Sequence, residues 1–211
     1  MSPKTALLVI DMQVFFESMT PRALPNILCL CKHFSQSQTP IIFTQHGHSQ
    51  DELTTDPSPS QLVRKWGPAD SIAAGSDGWK LIDELHPFLP SAYTGKTSSS
   101  ATVVPLGQSL PAATSVEFPK VVSKNTYDGF LNTSLAAVLE VAEIERVVVC
   151  GVMTDCCVDT TARSAFNRGY ETWLVKDASS SANRAQHEAG LRGFSFAFGE
   201  VLSTDEVLAR L

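Results

Sequence analysis

The sequence has no hydrophobic run long enough to cross a bilayer. Its most apolar opening stretch, residues 6–10, lies between Thr5 and Asp11. That is far short of the ~20 residues a membrane span needs, and too short for the apolar region of a secretory leader. Charge is sparse as well. Charged residues make up 18%, and 16 Lys+Arg against 22 Asp+Glu leave a formal net charge of -6. A field of that sign repels phosphate backbones and acidic membrane surfaces, so neither nucleic acid nor membrane is expected as a partner. The five cysteines, at 29, 31, 150, 156 and 157, cannot all pair, and their spacing fits neither a secreted disulfide framework nor a paired CxxC zinc site. A reducing, cytoplasmic setting is the expectation, with export by an unconventional route left open. No repeat of fixed period is present.

What remains is a chain of 211 residues that is 43% hydrophobic, enough apolar side chain for one domain with a sizeable core. Apolar, β-branched runs at 5–10, 40–44, 120–123, 146–150, 171–176 and 200–202 alternate with helix-length stretches, the pattern of a parallel sheet covered on both faces. Over 132–143, Leu135, Val138, Leu139 and Ala142 make one apolar helical stripe. Over 155–168, Val158, Ala162, Ala165 and Phe166 make another, ending at Gly169, a good left-handed cap. The expected fold is α/β, a three-layer doubly wound sandwich with a mainly parallel sheet of about six strands. The polar, proline-containing stretch 49–60 is expected to be a loop, and 91–118, rich in Ser, Thr, Pro and Ala, a surface insertion in a single domain spanning 1–211. A linker between two domains is the alternative for 91–118. It is set aside because neither half alone completes the strand–helix alternation.

In such a sheet, functional groups gather beyond the carboxyl ends of the strands. Asp11 follows the first strand, Gln45, His46 and His48 the second, Lys124 the third and residues 151–157 the fourth. Taken singly, an Asp after a strand is commonly a turn former, a Lys a solvated end and a Cys a small core residue. The context of Cys157 tips the balance. With Thr154 or Asp155 as N-cap, Cys157 falls in the first turn of a helix, where free N–H groups and the dipole lower a thiol pKa. Cys156 then points about 100° away. One of the pair is expected to be a nucleophile and the other to be packing. His33, His86 and His187 have helical surroundings and are expected to be structural.

ALLVIDMQVFF around Asp11, VVSKNTYDGF around Lys124 and VVVCGVMTDCCVDTTARSAFNRGYETWLVKDA around Cys157 together resemble the isochorismatase-like cysteine hydrolases. That superfamily includes isochorismatases, nicotinamidases and N-carbamoylsarcosine amidohydrolases, and the resemblance covers roughly residues 5–180. It implies a Rossmann-like fold and a catalytic triad of Asp11, Lys124 and Cys157, the cysteine preceding Val158 being chosen over Cys156. It further implies a cis peptide between Val152 and Met153, and an oxyanion hole made by the Met153 and Cys157 N–H groups. Phe15, Phe16, Gln45, His46, His48, Trp66, Tyr127 and Phe130 are the expected substrate pocket. Arg64 and Lys65 are candidates to meet a substrate carboxylate.

The nicotinamidases hold a metal through an Asp and a His after the second strand and a further His in a Trp-Pro-x-His segment. Here the first two positions are His46 and His48, and the later segment is Trp66-Gly67-Pro68-Ala69. The last ligand is missing, so no metal and no cofactor are expected. The implied activity is hydrolysis of an amide or carbamoyl C–N bond in a small molecule through a Cys157 thioester. The alternatives are vinyl-ether hydrolysis with Asp11 as general acid, and ligand binding without turnover. A homo-oligomer, dimer or tetramer, is implied by the same resemblance.

Overall fold

The structure, a computed structural model, describes residues 3–93, 95 and 116–211. Six strands, β1 (Thr5–Ile10), β2 (Ile41–His46), β3 (Lys120–Lys124), β4 (Arg146–Val152), β5 (Glu171–Ser180) and β6 (Glu200–Leu202), form one sheet. Its order is β3-β2-β1-β4-β5-β6, with every neighbouring pair parallel. The cause is visible in the strand sequences, which are apolar at successive positions and so feed two cores at once. Leu7, Val9, Phe43, Val148, Cys150 and Trp173 point to one face. Ala6, Leu8, Ile10, Ile42, Val147, Val149 and Leu174 point to the other.

The first face is covered by α1 (Leu24–Gln36), through Ile27, Leu30, Cys31 and Phe34, and by Val207 of the C-terminal helix (Thr204–Arg210). Between α1 and the C-terminal helix come α2 (Gln50–Thr54), α3 (Gln61–Trp66), α4 (Leu135–Val141), α5 (Asp159–Asn167) and α6 (Arg184–Ala197). The last three cover the second face with Leu135, Val138, Leu139, Ala162, Ala165 and Phe194. The expected α/β sandwich is the observed one. Among the described residues no helix is long and apolar enough to cross a membrane.

Several local expectations are corrected. Residues 49–60 are not all loop, because α2 starts there on a capping box: the Ser49 side chain accepts from the Glu52 N–H while the Glu52 carboxylate accepts from the Ser49 N–H. The stripe over 132–143 is helical only from Leu135 to Val141. Asn132 and Glu143, at φ 56° and 55°, take left-handed conformations that lie outside a right-handed helix. The stretch 155–168 is two elements, a π-helical turn at Thr154–Val158 running into α5. On α5, Phe166 is 41% exposed rather than core and packs edge to face on Phe198. Most of the expected insertion at 91–118 lies outside the described residues.

Candidate active site

The chain order turns back on itself at β1, which has β2 on one side and β4 on the other. A crevice opens at that point in an open parallel sheet. Asp11 is the first residue beyond β1, and its φ of 48° swings the chain out of the sheet, a conformation Asp tolerates better than most residues. Gly151 pairs with Ile10 across β1 and β4 and has φ +119°, and a Cβ there would overlap the Ile10 carbonyl. Only glycine lets the two strand ends approach this closely.

Asp11 is fully buried and held on three sides. Its Oδ1 accepts from Thr44 Oγ1 at 2.7 Å, its N–H donates to that same oxygen at 3.1 Å, and its Oδ2 lies 2.6 Å from Lys124 Nζ. Lys124 ends β3, two strands from β1, and its long stem carries the ammonium back across β2. The ammonium also donates to the Thr126 carbonyl at 2.9 Å. Burial alone would lower the Lys124 pKa, but the charge and hydrogen bond of the Asp11 carboxylate, with Cys157 beside it, outweigh burial and the net direction is up. An ion pair of this kind, dry on both sides, is costly to break because the survivor is left charged and unpaired.

Cys157 lies in the π-helical turn after β4, 5% exposed. The Cys156 and Val158 N–H groups both donate to the Met153 carbonyl, at 3.0 and 3.1 Å, which draws the turn tight around the residue between them. The N-cap of that turn is Met153, not Thr154 or Asp155. Those two side chains tie the turn to its surroundings instead. Thr154 Oγ1 is 2.8 Å from His187 Nδ1, Asp155 accepts from Gln186 Nε2 at 2.8 Å, and the Ser181 hydroxyl donates to its other oxygen. The thiol pKa also departs from expectation. Burial pushes Cys157 up, Lys124 opposes, and the Asp11 carboxylate adds to the rise through charge and a hydrogen bond. The thiol therefore rests protonated beside a carboxylate. Cys156 is not pure packing: half-buried, with its pKa pushed up to about 11 by burial and by Asp155 and Asp159, it lines the same cavity as Cys157. The Val152–Met153 peptide is cis.

That cavity encloses about 270 Å³, just under the ~300–1,000 Å³ of pockets for drug-sized ligands. Phe15, Phe16, His46, His48, Trp66, Tyr127 and Met153 line it together with the two cysteines. Trp66 Nε1 donates to Tyr127 Oη at 2.8 Å, joining α3 to the segment after β3 across the mouth. Two of the expected pocket residues lie elsewhere. Gln45 donates to the Trp79 carbonyl at 2.8 Å and to Tyr93 Oη at 3.2 Å, and so faces a separate cavity of about 80 Å³ beside Lys124. Phe130 is buried in the core with Leu135 and Ala162 and stacks on Tyr170. Arg64 turns back to the Ser58 carbonyl and Lys65 lies over the Trp66 ring, so neither lines the cavity.

Met19, Leu62, Asp70, Ser71, Ile72 and Ala182 complete the lining without any residue-type signal that marks them in the sequence. Gln13 was also missed. It is fully buried, accepting from the His46 N–H at 2.7 Å and donating to the His46 and Trp79 carbonyls at 2.9 and 2.8 Å, and it locks the end of β2 to the segment after β1. Its place two residues beyond Asp11 is the only mark it carries in the sequence. His46 and His48 lie edge to face with ring centroids 4.9 Å apart, and among the described residues no group of three His, Cys, Asp or Glu side chains is gathered as a metal needs. Two imidazoles alone are an incomplete donor set for zinc. The residues present do not fit a metal centre.

The isochorismatase domain family matches residues 5–117 and 111–206. Nicotinamidase 3 of Arabidopsis thaliana is 31% identical over 202 residues, covering 96% of this chain and 86% of that protein. A ureidoacrylate amidohydrolase of Pseudomonas syringae pv. syringae is 26% identical, covering 96% of this chain and 82% of its own length. Among solved structures, a cysteine hydrolase from Pseudomonas syringae pv. phaseolicola has the same fold, with a TM-score of 0.76 at 23% identity over 98% of this chain and 92% of that one.

Proposed function

The chain belongs to the isochorismatase family of hydrolases, and from that premise we propose that it cleaves the C–N bond of a small, uncharged amide through a thioester on Cys157. The observation that carries this reading is the cavity lining. It holds a thiol, aromatic walls and no Lys or Arg among its described residues. A carboxylate-bearing substrate such as isochorismate has nothing cationic to meet there, since Lys124 is already committed to Asp11. A neutral amide needs no counter-charge.

The steps follow from the resting protonation. As Cys157 sulfur attacks the carbonyl carbon, its proton passes to Asp11, and the new S–C bond leaves a tetrahedral oxyanion that the Met153 and Cys157 N–H groups hold. Donors of this kind typically contribute ~3 kcal/mol each to transition-state stabilisation. The C–N bond then breaks and the departing nitrogen takes the proton from Asp11. Asp11 next accepts a proton from water, the hydroxide adds to the thioester, and as the S–C bond breaks the acid leaves and Asp11 returns its proton to the sulfur, restoring the thiol and the carboxylate. Lys124 fixes the Asp11 carboxylate for both transfers and balances the charge that moves between oxygen and sulfur.

The test is intact-mass spectrometry of the protein exposed to small amides and carbamoyl compounds, with isochorismate alongside. An acyl adduct at Cys157 with release of ammonia or amine is expected. Cys157→Ala is expected to lose amide turnover while keeping its fold. Full turnover by Cys157→Ala together with its loss in Asp11→Asn would instead place the protein with acid-catalysed ether hydrolysis.

A further inference from the structure

Besides Asp70, Ser71 and Tyr127, two imidazole rings bring polar atoms to the cavity wall. His46 and His48 are 8% and 2% exposed, both line the cavity, and neither Nδ1 has a hydrogen-bond partner among the described residues. A buried polar nitrogen without a partner costs about 1–3 kcal/mol. For His48 that deficit lies on the Glu52 side of the ring, so a ligand in the cavity is left the other ring nitrogen, Nε2. Burial, Lys124 and His48 together hold the His46 pKa well below the usual histidine range, so that ring is uncharged at neutral pH.

His48 is held more firmly than a residue of a loose loop. Its N–H donates to the Ile72 carbonyl at 2.8 Å, and its own carbonyl accepts from the Ala74 N–H at 2.9 Å. Behind the ring is Glu52, whose Oε1 accepts from Asn125 Nδ2 at 2.8 Å and whose Oε2 accepts from the Ser49 N–H at 2.9 Å. That same Oε2 stands 3.5 Å from His48 Nδ1, long for a hydrogen bond but near enough to choose the tautomer. A carboxylate offers only lone pairs, so the ring nitrogen facing it carries the proton. In the neutral ring Nε2 is then an acceptor. β2 and β4 are separated by β1 alone, which puts the histidines roughly 10 Å from the strand that delivers Cys157. That is the reach of one substituted ring with a contact at each end.

We infer that His46 and His48 form a metal-free specificity subsite, with His48 Nε2 accepting a hydrogen bond from an uncharged N–H or O–H group carried by the substrate at the end away from its scissile carbonyl. The inference rests on the amide reading for the placement of that carbonyl. It goes further in naming a donor group as the feature the pocket selects.

The experiment measures affinity in Cys157→Ala protein stripped with a chelator, by calorimetry. The probes are benzamide, its ring-hydroxyl and ring-amino derivatives, and the methoxy and dimethylamino counterparts that fill the same space without a donor. The donor-bearing amides are expected to bind about tenfold tighter than their capped counterparts, the worth of one net hydrogen bond. His48→Phe is expected to bring that ratio close to one, and His48→Gln, whose amide oxygen also accepts, to keep part of it. With ¹⁵N-labelled histidine, the Nε2 resonance of one ring should move on binding a donor-bearing amide and stay in place with the capped one. Equal affinities across the series, or a preference that survives His48→Phe, overturns the inference. So does a preference that appears only when zinc or manganese is added back, which would make the rings metal ligands. If no amide binds and native protein forms no acyl adduct with any of them, the amide reading itself falls and takes this inference with it.

Discussion

Lys124 and Asp11 show what a single buried contact demands. Both side chains are wholly out of solvent at 2.6 Å, so Lys124→Met strands a carboxylate in the core and is expected to cost about 3–5 kcal/mol in urea denaturation. Adding Asp11→Asn to that variant should recover part of the loss. The pH dependence has a definite sign. The Lys124 pKa is raised in the folded protein, so its contribution is complete below the unfolded-chain value of ~10.4 and is lost as pH rises through the folded value. Native protein should therefore lose stability above about pH 10.4 more steeply than Lys124→Met does. Cys157 gives the opposite lesson about reactivity. Its helical surroundings suggest an activated thiolate, yet burial and the neighbouring carboxylate keep it protonated. Iodoacetamide labelling of Cys157 at pH 7.5, followed by peptide mass spectrometry, is expected to run no faster than that of free cysteine.

Among the elements, α2 is small but supports the pocket, because the Ser49–Glu52 capping box also presents Glu52 to His48. Ser49→Ala is expected to cost about 1 kcal/mol in thermal denaturation. α6 supports the Cys157 turn. A Cβ at Gly190 would come 2.9 Å from Asp155 Cα, so Gly190→Ala should push the helix off the turn and lower kcat by more than its effect on stability accounts for. These two elements also mark where the sequence could be read and where it could not. Strands that are apolar on both faces announce themselves, and Asp11, Lys124 and the Cys156–Cys157 pair attract notice because reactive side chains follow such strands. The capping box was equally present as Ser-x-x-Glu, but prolines at 57 and 59 made the segment look like loop. The π-helical turn had no periodic signal, since one inserted residue only shifts a stripe. Gln45 and Phe130 were misplaced because strand position fixes where a residue stands but not which cavity its side chain enters.

At the scale of the molecule, β1 is the keel. It pairs with β2 on one side and β4 on the other, and its alternate residues enter both cores. Neither core is complete without it, so the two faces should melt together. Fluorescence from Trp66, Trp79 and Trp173, which sit in α3, in the segment before Leu81 and in β5, should give the same urea midpoint as far-UV circular dichroism, the signature of a single transition. Two separate midpoints would show that one half of the sheet folds without the other. The same architecture governs when chemistry first becomes possible during synthesis. The proposed base, at position 11, emerges from the ribosome early, and the sulfur it would serve follows only at 157, after the neighbouring strand β4. A nascent chain thus lacks the complete proposed site until most of the polypeptide has been made.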